Sequence, residues 1–100
     1  MKNKQLEREL EKQLEEKCCE YARQKGIVAV KLENVGMVGI PDRMFIGAGG
    51  KTIFVEFKSP SRKGVISPMQ KFWLDFLGDA GRVIDDFEKF KKLIDSIYNS

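Results

Sequence analysis

The sequence contains no histidine, and this absence excludes several kinds of site. Catalysis by a Ser-His-Asp or Cys-His arrangement is excluded, and so is a metal site built on imidazole ligands. The chain has only two cysteines, and because Cys18 and Cys19 are adjacent they form neither a CxxC motif nor a disulfide framework. A metal site in this chain would therefore use oxygen ligands, which favour hard cations such as Mg²⁺ or Mn²⁺.

Long apolar runs are also absent. No stretch reaches the roughly 18 apolar residues that a membrane-spanning helix needs, and a charged segment follows Met1 where a signal peptide would be apolar. We therefore expect a cytoplasmic protein with no membrane association. A length of 100 residues predicts one domain, which spans residues 1–100.

Positive charge is concentrated in the middle of the chain, although the net charge is only +3. Between Pro41 and Leu74 the only acidic residues are Asp42 and Glu56. The basic residues in that range are Arg43, Lys51, Lys58, Arg62, Lys63 and Lys71. Such a field suits a polyanion such as nucleic acid. A solvated surface that carries several lysines would look the same, so charge alone leaves both interpretations open.

Hydrophobic periodicity predicts the element order α-β-β-β-α-β-α. A stripe with helical spacing over residues 3–25 predicts the first helix, which Gly26 ends. β-branched and aromatic runs predict strands over 27–33, 41–47 and 52–58, with a loop at 34–40 and a turn at 48–51. Ser67 and Pro68 are typical of the start of a helix. A short strand at 82–85 and a final helix follow.

The second helix carries apolar residues at helical spacing, and we interpret them as part of the core rather than as base-stacking residues. They are Met69, Phe72, Trp73, Phe76 and Leu77.

Charged residues interrupt the apolar stretch "GIPDRMFIGAGGKTIFVEFKS" at 39–59. Because strand side chains alternate, Glu56 and Lys58 share one face of the third strand, with Phe57 on the other. A two-residue turn at Gly49-Gly50 would place Glu56 near Arg43, and Asp42 close to Lys58 and Glu56. Two carboxylates at that distance repel unless a proton or a shared cation lies between them. An ordinary ion pair between Lys58 and Asp42 is the alternative.

These residues resemble the motifs of a known nuclease group. Gly39-x-Pro41-Asp42, then Glu56-x-Lys58, then Gln70 within "SPxQ" are similar to the PD-(D/E)xK nuclease superfamily, and within it to the virus-type replication-repair nuclease (VRR-NUC) domain. The resemblance covers nearly the whole chain. It implies a restriction-endonuclease-like α/β fold, with a mixed central sheet flanked by helices.

The resemblance also implies roles for individual residues. Asp42, Glu56 and the carbonyl of Phe57 would bind Mg²⁺ or Mn²⁺, and Lys58 would act on the attacking water and the phosphate. Gln70 would face the metal site. A catalytic glutamate on the first helix aligns best with Glu15, and Glu11 is the alternative. Relatives often have basic residues just before the GxPD glycine. This chain has no basic residues there, so we expect other side chains to contact the DNA. These are Arg43, Arg62, Lys63, Lys71 and Lys31.

The function that the resemblance implies is a divalent-metal-dependent DNA endonuclease. Stand-alone members are phage or bacterial proteins that tend to form homodimers and cut branched DNA such as Holliday junctions. We consider the apolar stripe of the first helix, or Phe87 and Phe90, as dimer surfaces. A non-catalytic DNA-binding or assembly module with the same fold is the alternative. A helix-mediated interaction protein is a third hypothesis, which the lack of sustained heptads disfavours.

Overall fold

A computed structural model of the chain describes residues 2–33, 35–62 and 65–98, apart from the side chains of Lys2 and Arg62. The helices are α1 (Lys2–Gln24), α2 (Pro68–Leu77) and α3 (Phe87–Tyr98), and the strands are β1 (Val28–Lys31), β2 (Arg43–Ile46), β3 (Thr52–Phe57) and β4 (Gly81–Ile84). The predicted order of elements and the mixed α/β fold are confirmed. Among the described residues, no helix is long and apolar enough to cross a membrane.

The four strands form one mixed sheet in the order β1-β2-β3-β4. β2 pairs antiparallel with both β1 and β3, whereas β4 joins β3 in parallel after the crossover through α2. β3 is therefore flanked by strands on both sides. Its last residues, Glu56 and Phe57, pair with β4, whereas the pairing with β2 ends at Val55.

The register of the β2–β3 hairpin differs by one residue from the prediction. Arg43 pairs with Val55, not with Glu56. The loop closes over three residues, since the N–H of Gly47 donates to the carbonyl of Lys51 at 2.8 Å. Gly49 and Gly50 both adopt positive φ, of 80° and 82°, which glycine tolerates without steric cost. A loop of odd length shifts the pairing by one residue and brings Asp42 opposite Glu56.

The core lies where α1 and α3 cover the face of the sheet that carries Phe45, Val55 and Phe57. α1 contributes the later part of its stripe, from Leu14 to Ala22, and α3 contributes Phe90 and Ile94. Phe90 contacts both Phe45 and Phe57, with ring centroids 5.2 and 6.2 Å apart. Because Phe90 is fully buried, the suggestion that Phe87 and Phe90 form a dimer surface is wrong.

The prediction that the apolar stripe of α2 belongs to the core is wrong for most of its members. No residue of α2 is buried, and Phe72 and Phe76 are 56% and 74% exposed. Met69 is exposed as well, whereas Trp73 and Leu77 are half-buried. We call Met69, Phe72, Trp73 and Phe76 the aromatic face of α2. Hydrophobic periodicity shows that a helix has one apolar side, but it does not show that another element of the fold covers that side.

Candidate functional site

The end of β3 carries a buried carboxyl group. Glu56 is only 4% exposed, although strand alternation directs its side chain away from the apolar core face of Val55 and Phe57. Its Oε2 accepts hydrogen bonds from Gln70 Nε2 at 2.9 Å and forms an ion pair with Lys58 Nζ at 3.3 Å. Its Oε1 is buried and has no hydrogen-bond partner among the described residues. Buried oxygens without partners are rare, and each calls for an explanation.

Asp42 ends the pairing between β2 and β3. Its main-chain carbonyl accepts from Leu32 N–H at 3.0 Å, which continues the β1–β2 ladder. Its carboxylate Oδ2 accepts from Phe57 N–H at 2.8 Å. The Asp42 side chain thus accepts the hydrogen bond that a main-chain carbonyl would accept in a continued β2–β3 pairing. This bond fixes the Asp42 carboxyl group beside the peptide that follows Glu56.

Both carboxyl groups are electrostatically strained. Burial, followed by the charge of Asp42, raises the pKa of Glu56 to about 7. Burial also raises the pKa of Asp42 to about 6, and Glu15 contributes in the same direction. The Phe57 amide and Lys58 oppose these shifts without cancelling them. Burial therefore disfavours the charged forms of both carboxyl groups, and a bound cation would favour their ionised forms.

Lys58 and Gln70 complete the cluster from two different elements. The backbone N–H of Lys58 donates to the carbonyl of Ile84 at 3.0 Å, which extends the β3–β4 ladder past Glu56. Its Nζ donates to Gln70 Oε1 at 3.1 Å. Gln70 lies in the first turn of α2, so the carboxamide joins that helix to both charged groups of β3.

The loop before Asp42 fixes the start of α2. A Cβ atom on Gly39 would lie 2.6 Å from the main-chain carbon of Met69, and Gly39 has a φ of +81°. Only glycine therefore allows the first turn of α2 to approach this closely. Trp73 Nε1 donates to the carbonyl of Val38 at 3.0 Å, one turn further along the helix. The glycine of the GxPD motif thus helps to set the position of Gln70.

The two glutamates predicted as alternatives on the first helix both lie near the carboxyl pair. Glu15 forms a 2.5 Å ion pair with Arg43 Nε, and both side chains are mostly buried. Glu11 contributes to the raised pKa of both Asp42 and Glu56, whereas Glu15 has the larger effect on Asp42. Glu11 also lines two adjoining grooves, one bordered by Lys58 and the other by Asp42. A choice between them stays a prediction.

The predicted DNA-contacting residues do not all lie on one open surface. Lys31 and Lys71 are exposed and form ion pairs with Glu33 and Asp75. Arg43 is mostly buried against Glu15. Lys63 lies outside the described residues, as does the side chain of Arg62.

Sequence reasoning missed the basic residues of the first helix. A groove of about 410 Å³ runs from Asp42 and Phe57 along α1, where Arg8 and Lys12 line it. A second groove of about 300 Å³ joins Lys58 to Lys4 and Arg8. These residues sit among many glutamates in the sequence, and only the direction in which α1 crosses the sheet shows that they face the site.

The residues present fit a small divalent cation held by few protein ligands. Among the described parts of the chain, no group of three or more Asp, Glu, Cys or His side chains comes together as a complete metal site. Asp42 and Glu56 supply two carboxylates, one of which has an oxygen without a partner. Mg²⁺ typically keeps several waters and binds through one or two carboxylates together with substrate phosphates. A pair of carboxylates therefore suffices for this ion.

Comparison with solved structures finds a similar domain. No family model and no curated protein matches the sequence. A solved structure described as a VRR_NUC domain superposes with a TM-score of 0.75 and 26% sequence identity, covering 88% of this chain and 97% of its own. The resemblance that the GxPD, ExK and SPxQ motifs predict is thereby confirmed. This chain is a nuclease-fold domain similar to the VRR-NUC domain.

Proposed function

We propose that residues 1–100 form one divalent-metal-dependent endodeoxyribonuclease domain, with Asp42, Glu56 and Lys58 at its centre. The observation that carries the proposal is the unpartnered Oε1 of Glu56, buried beside a second carboxyl group whose pKa is also raised. Asp42, Glu56 and the carbonyl of Phe57 would hold Mg²⁺ or Mn²⁺. Such an ion supplies polarisation of a phosphoryl oxygen and a lowered pKa of bound water.

The remaining residues have separate tasks in this proposal. Lys58 provides a fixed positive charge beside the scissile phosphate, where negative charge increases in the transition state. Gln70 keeps Glu56 Oε2 and Lys58 Nζ in place, so that Glu56 Oε1 stays directed at the cation. A glutamate of the first helix, Glu15 or Glu11, adds negative charge next to Asp42.

The DNA backbone would lie along the grooves beside α1. Arg8, Lys12 and Lys31 line the groove that includes Asp42, together with Glu11, Glu15 and Glu33. Lys71 would contact the strand from α2, and Arg43 would act mainly through Glu15. Arg62 and Lys63 stay DNA contacts predicted from the sequence. Phosphate contacts of this kind predict strong salt dependence of DNA binding.

We infer from the resemblance to stand-alone relatives that the natural substrate is branched DNA and that the protein acts as a homodimer, in the cytoplasm of a bacterial or phage-infected cell. The aromatic face of α2 supports a dimer, because exposed apolar patches commonly mark contact surfaces.

Sedimentation equilibrium tests the dimer and its surface together. The wild type is expected to be dimeric at micromolar concentration, and Phe76→Lys is expected to be monomeric with unchanged secondary structure. Leu6→Lys, at an exposed position of the α1 stripe, serves as the matched variant and should remain dimeric. A monomeric wild type, or dissociation by Leu6→Lys instead, would contradict the α2 surface.

Cleavage of labelled DNA tests the activity. A four-way junction is compared with linear duplex, flap and single strand in Mg²⁺, Mn²⁺ or EDTA. The wild type is expected to nick the junction symmetrically and only with a divalent cation. Lys58→Ala should lose at least about 10²-fold in rate, as expected when one charge-stabilising group is removed. Lys92→Ala, at an exposed position on α3, should cleave normally.

Asp42→Ala separates the nuclease from the non-catalytic DNA-binding module. It is expected to abolish cleavage and to leave DNA affinity unchanged or tighter, since it removes a negative charge from the binding surface. Tight binding by the wild type without cleavage of any substrate would support the binding module and contradict the proposed nuclease.

A further inference from the structure

The first turn of α2 is tied to the site through a reciprocal pair of hydrogen bonds. Ser67 is the N-cap of α2, and its Oγ accepts from Gln70 N–H at 3.2 Å. In return, the N–H of Ser67 donates to Gln70 Oε1 at 2.8 Å. This is a capping box, in which a serine and a residue three positions later satisfy each other's backbone groups.

Gln70 differs from an ordinary capping-box residue because its carboxamide has further partners. The same Oε1 that accepts from Ser67 also accepts from Lys58 Nζ, at 3.1 Å. With two donors at the oxygen, the amide nitrogen must point the other way, where it donates to Glu56 Oε2 at 2.9 Å. The cap therefore determines which end of the carboxamide each charged group meets.

We propose that Ser67 is a positioning residue: through the capping box it fixes the carboxamide of Gln70, which holds Lys58 and leaves the second oxygen of Glu56 free for the cation. This inference rests on the proposed nuclease function. Ser67 contacts neither carboxyl group in the structure, so its influence passes through Gln70. Partners that orient metal ligands in this way affect metal affinity or rate by roughly 10- to 100-fold.

A comparison of two N-caps separates positioning from helix stability. Ser67→Ala removes the hydroxyl that anchors the first turn of α2. Asp86→Ala removes the equivalent bond of α3, where Asp86 Oδ2 accepts from Lys89 N–H at 3.1 Å. Both variants lose one N-cap and should show a comparable fall in Tm. Only Ser67 is connected to the site.

Three measurements are made at a temperature well below each Tm: single-turnover cleavage with saturating Mn²⁺, the Mn²⁺ dissociation constant by titration calorimetry, and DNA affinity in EDTA. Ser67→Ala is expected to lower the cleavage rate by about 10-fold and to weaken Mn²⁺ binding several-fold, with DNA affinity unchanged. Ser67→Thr keeps a hydroxyl cap and should restore both quantities. Asp86→Ala should match the wild type in all three.

Each other outcome overturns the inference. Wild-type behaviour of Ser67→Ala would show that Gln70 keeps its place without the cap. Equal losses of cleavage rate and Mn²⁺ affinity in Ser67→Ala and Asp86→Ala would assign the effect to helix stability. Failure of Ser67→Thr to restore the rate would show that the hydroxyl group is not the cause. The wild-type sample tests the proposed function separately. A wild type that neither cleaves DNA nor binds Mn²⁺ would refute the nuclease itself and the inference with it. If the wild type binds Mn²⁺ but cleaves no DNA, the Mn²⁺ dissociation constants of the variants still decide whether Ser67 positions the site.

Discussion

Glu56→Gln is expected to stabilise the protein at pH 8 in EDTA while it abolishes cleavage. In the folded chain burial raises the pKa of Glu56 from 4.5 to about 7. A carboxyl group whose pKa is higher in the folded state favours folding below its unfolded pKa, and this contribution is lost as the pH rises through the folded value. A shift of this size lowers the free energy of unfolding by about 3 kcal/mol at pH 8, relative to a side chain that stays neutral.

The glutamine variant avoids this cost because its side chain is neutral at every pH. Its amide would occupy the position of a carboxylate oxygen that already lacks a partner, so the penalty for an unsatisfied polar atom is similar in both proteins. We expect a net gain of about 1–3 kcal/mol at pH 8, which corresponds to a rise in Tm of roughly 5–20 °C for a domain of this size. The gain should nearly vanish near pH 4.5, where the wild-type carboxyl group is protonated in the folded chain and already half protonated in the unfolded chain.

Thermal unfolding followed by circular dichroism between pH 4.5 and 8 measures this difference. Glu16→Gln, at an exposed position of α1, is the matched variant and should change stability by less than about 0.5 kcal/mol. Addition of Mn²⁺ at pH 8 should raise the Tm of the wild type but not that of Glu56→Gln, since only the wild type gains binding energy in the folded state. A variant less stable than the wild type at pH 8 in EDTA would refute the reasoning, because Lys58 and Gln70 would then outweigh the burial of the charge.

Further predictions concern the elements around the carboxyl pair. Gly39→Ala should lower both Tm and cleavage rate, because its Cβ would meet the main chain of Met69 at 2.6 Å; unfolding and single-turnover cleavage measure this. Gln70→Glu should retain the capping box but bring a third carboxylate to Glu56, so we expect a rate at least about 10-fold lower and a pH–rate profile moved to higher pH. Glu15→Gln should destabilise the fold by about 1–3 kcal/mol, because it weakens the partner of a mostly buried arginine. Glu11→Gln should leave Tm unchanged and weaken Mn²⁺ binding in calorimetry, and the opposite pattern would exchange the roles of the two glutamates.

The sequence predicted the elements that local pattern determines. The stripe of α1 and the β-branched runs of the strands specify helix and strand without reference to the rest of the chain. The proximity of Asp42 and Glu56 also followed from the hairpin, although the predicted register was wrong by one residue. That error came from the turn, because a pair of glycines is compatible with loops of two or three residues and only the closing bond from Gly47 to Lys51 distinguishes them.

Features that depend on how elements pack could not be predicted. The pairing of Arg43 with Glu15 depends on which side of α1 faces the sheet, and no local pattern specifies that orientation. The exposure of Phe72 and Phe76 depends on what the fold leaves uncovered. Gln70 was identified by its motif, but no local pattern shows that its cap on Ser67 joins it to Lys58 and Glu56.

A crystal structure grown with Mn²⁺, with the ion located by its anomalous scattering, tests the central claim most directly. We predict an anomalous peak between Asp42 and Glu56, coordinated by Glu56 Oε1, the carboxylate of Asp42 and the carbonyl of Phe57, and no peak at this position in Glu56→Gln. Wild-type crystals with millimolar Mn²⁺ that show no ion between these two carboxyl groups, or show it only elsewhere on the surface, would contradict the account.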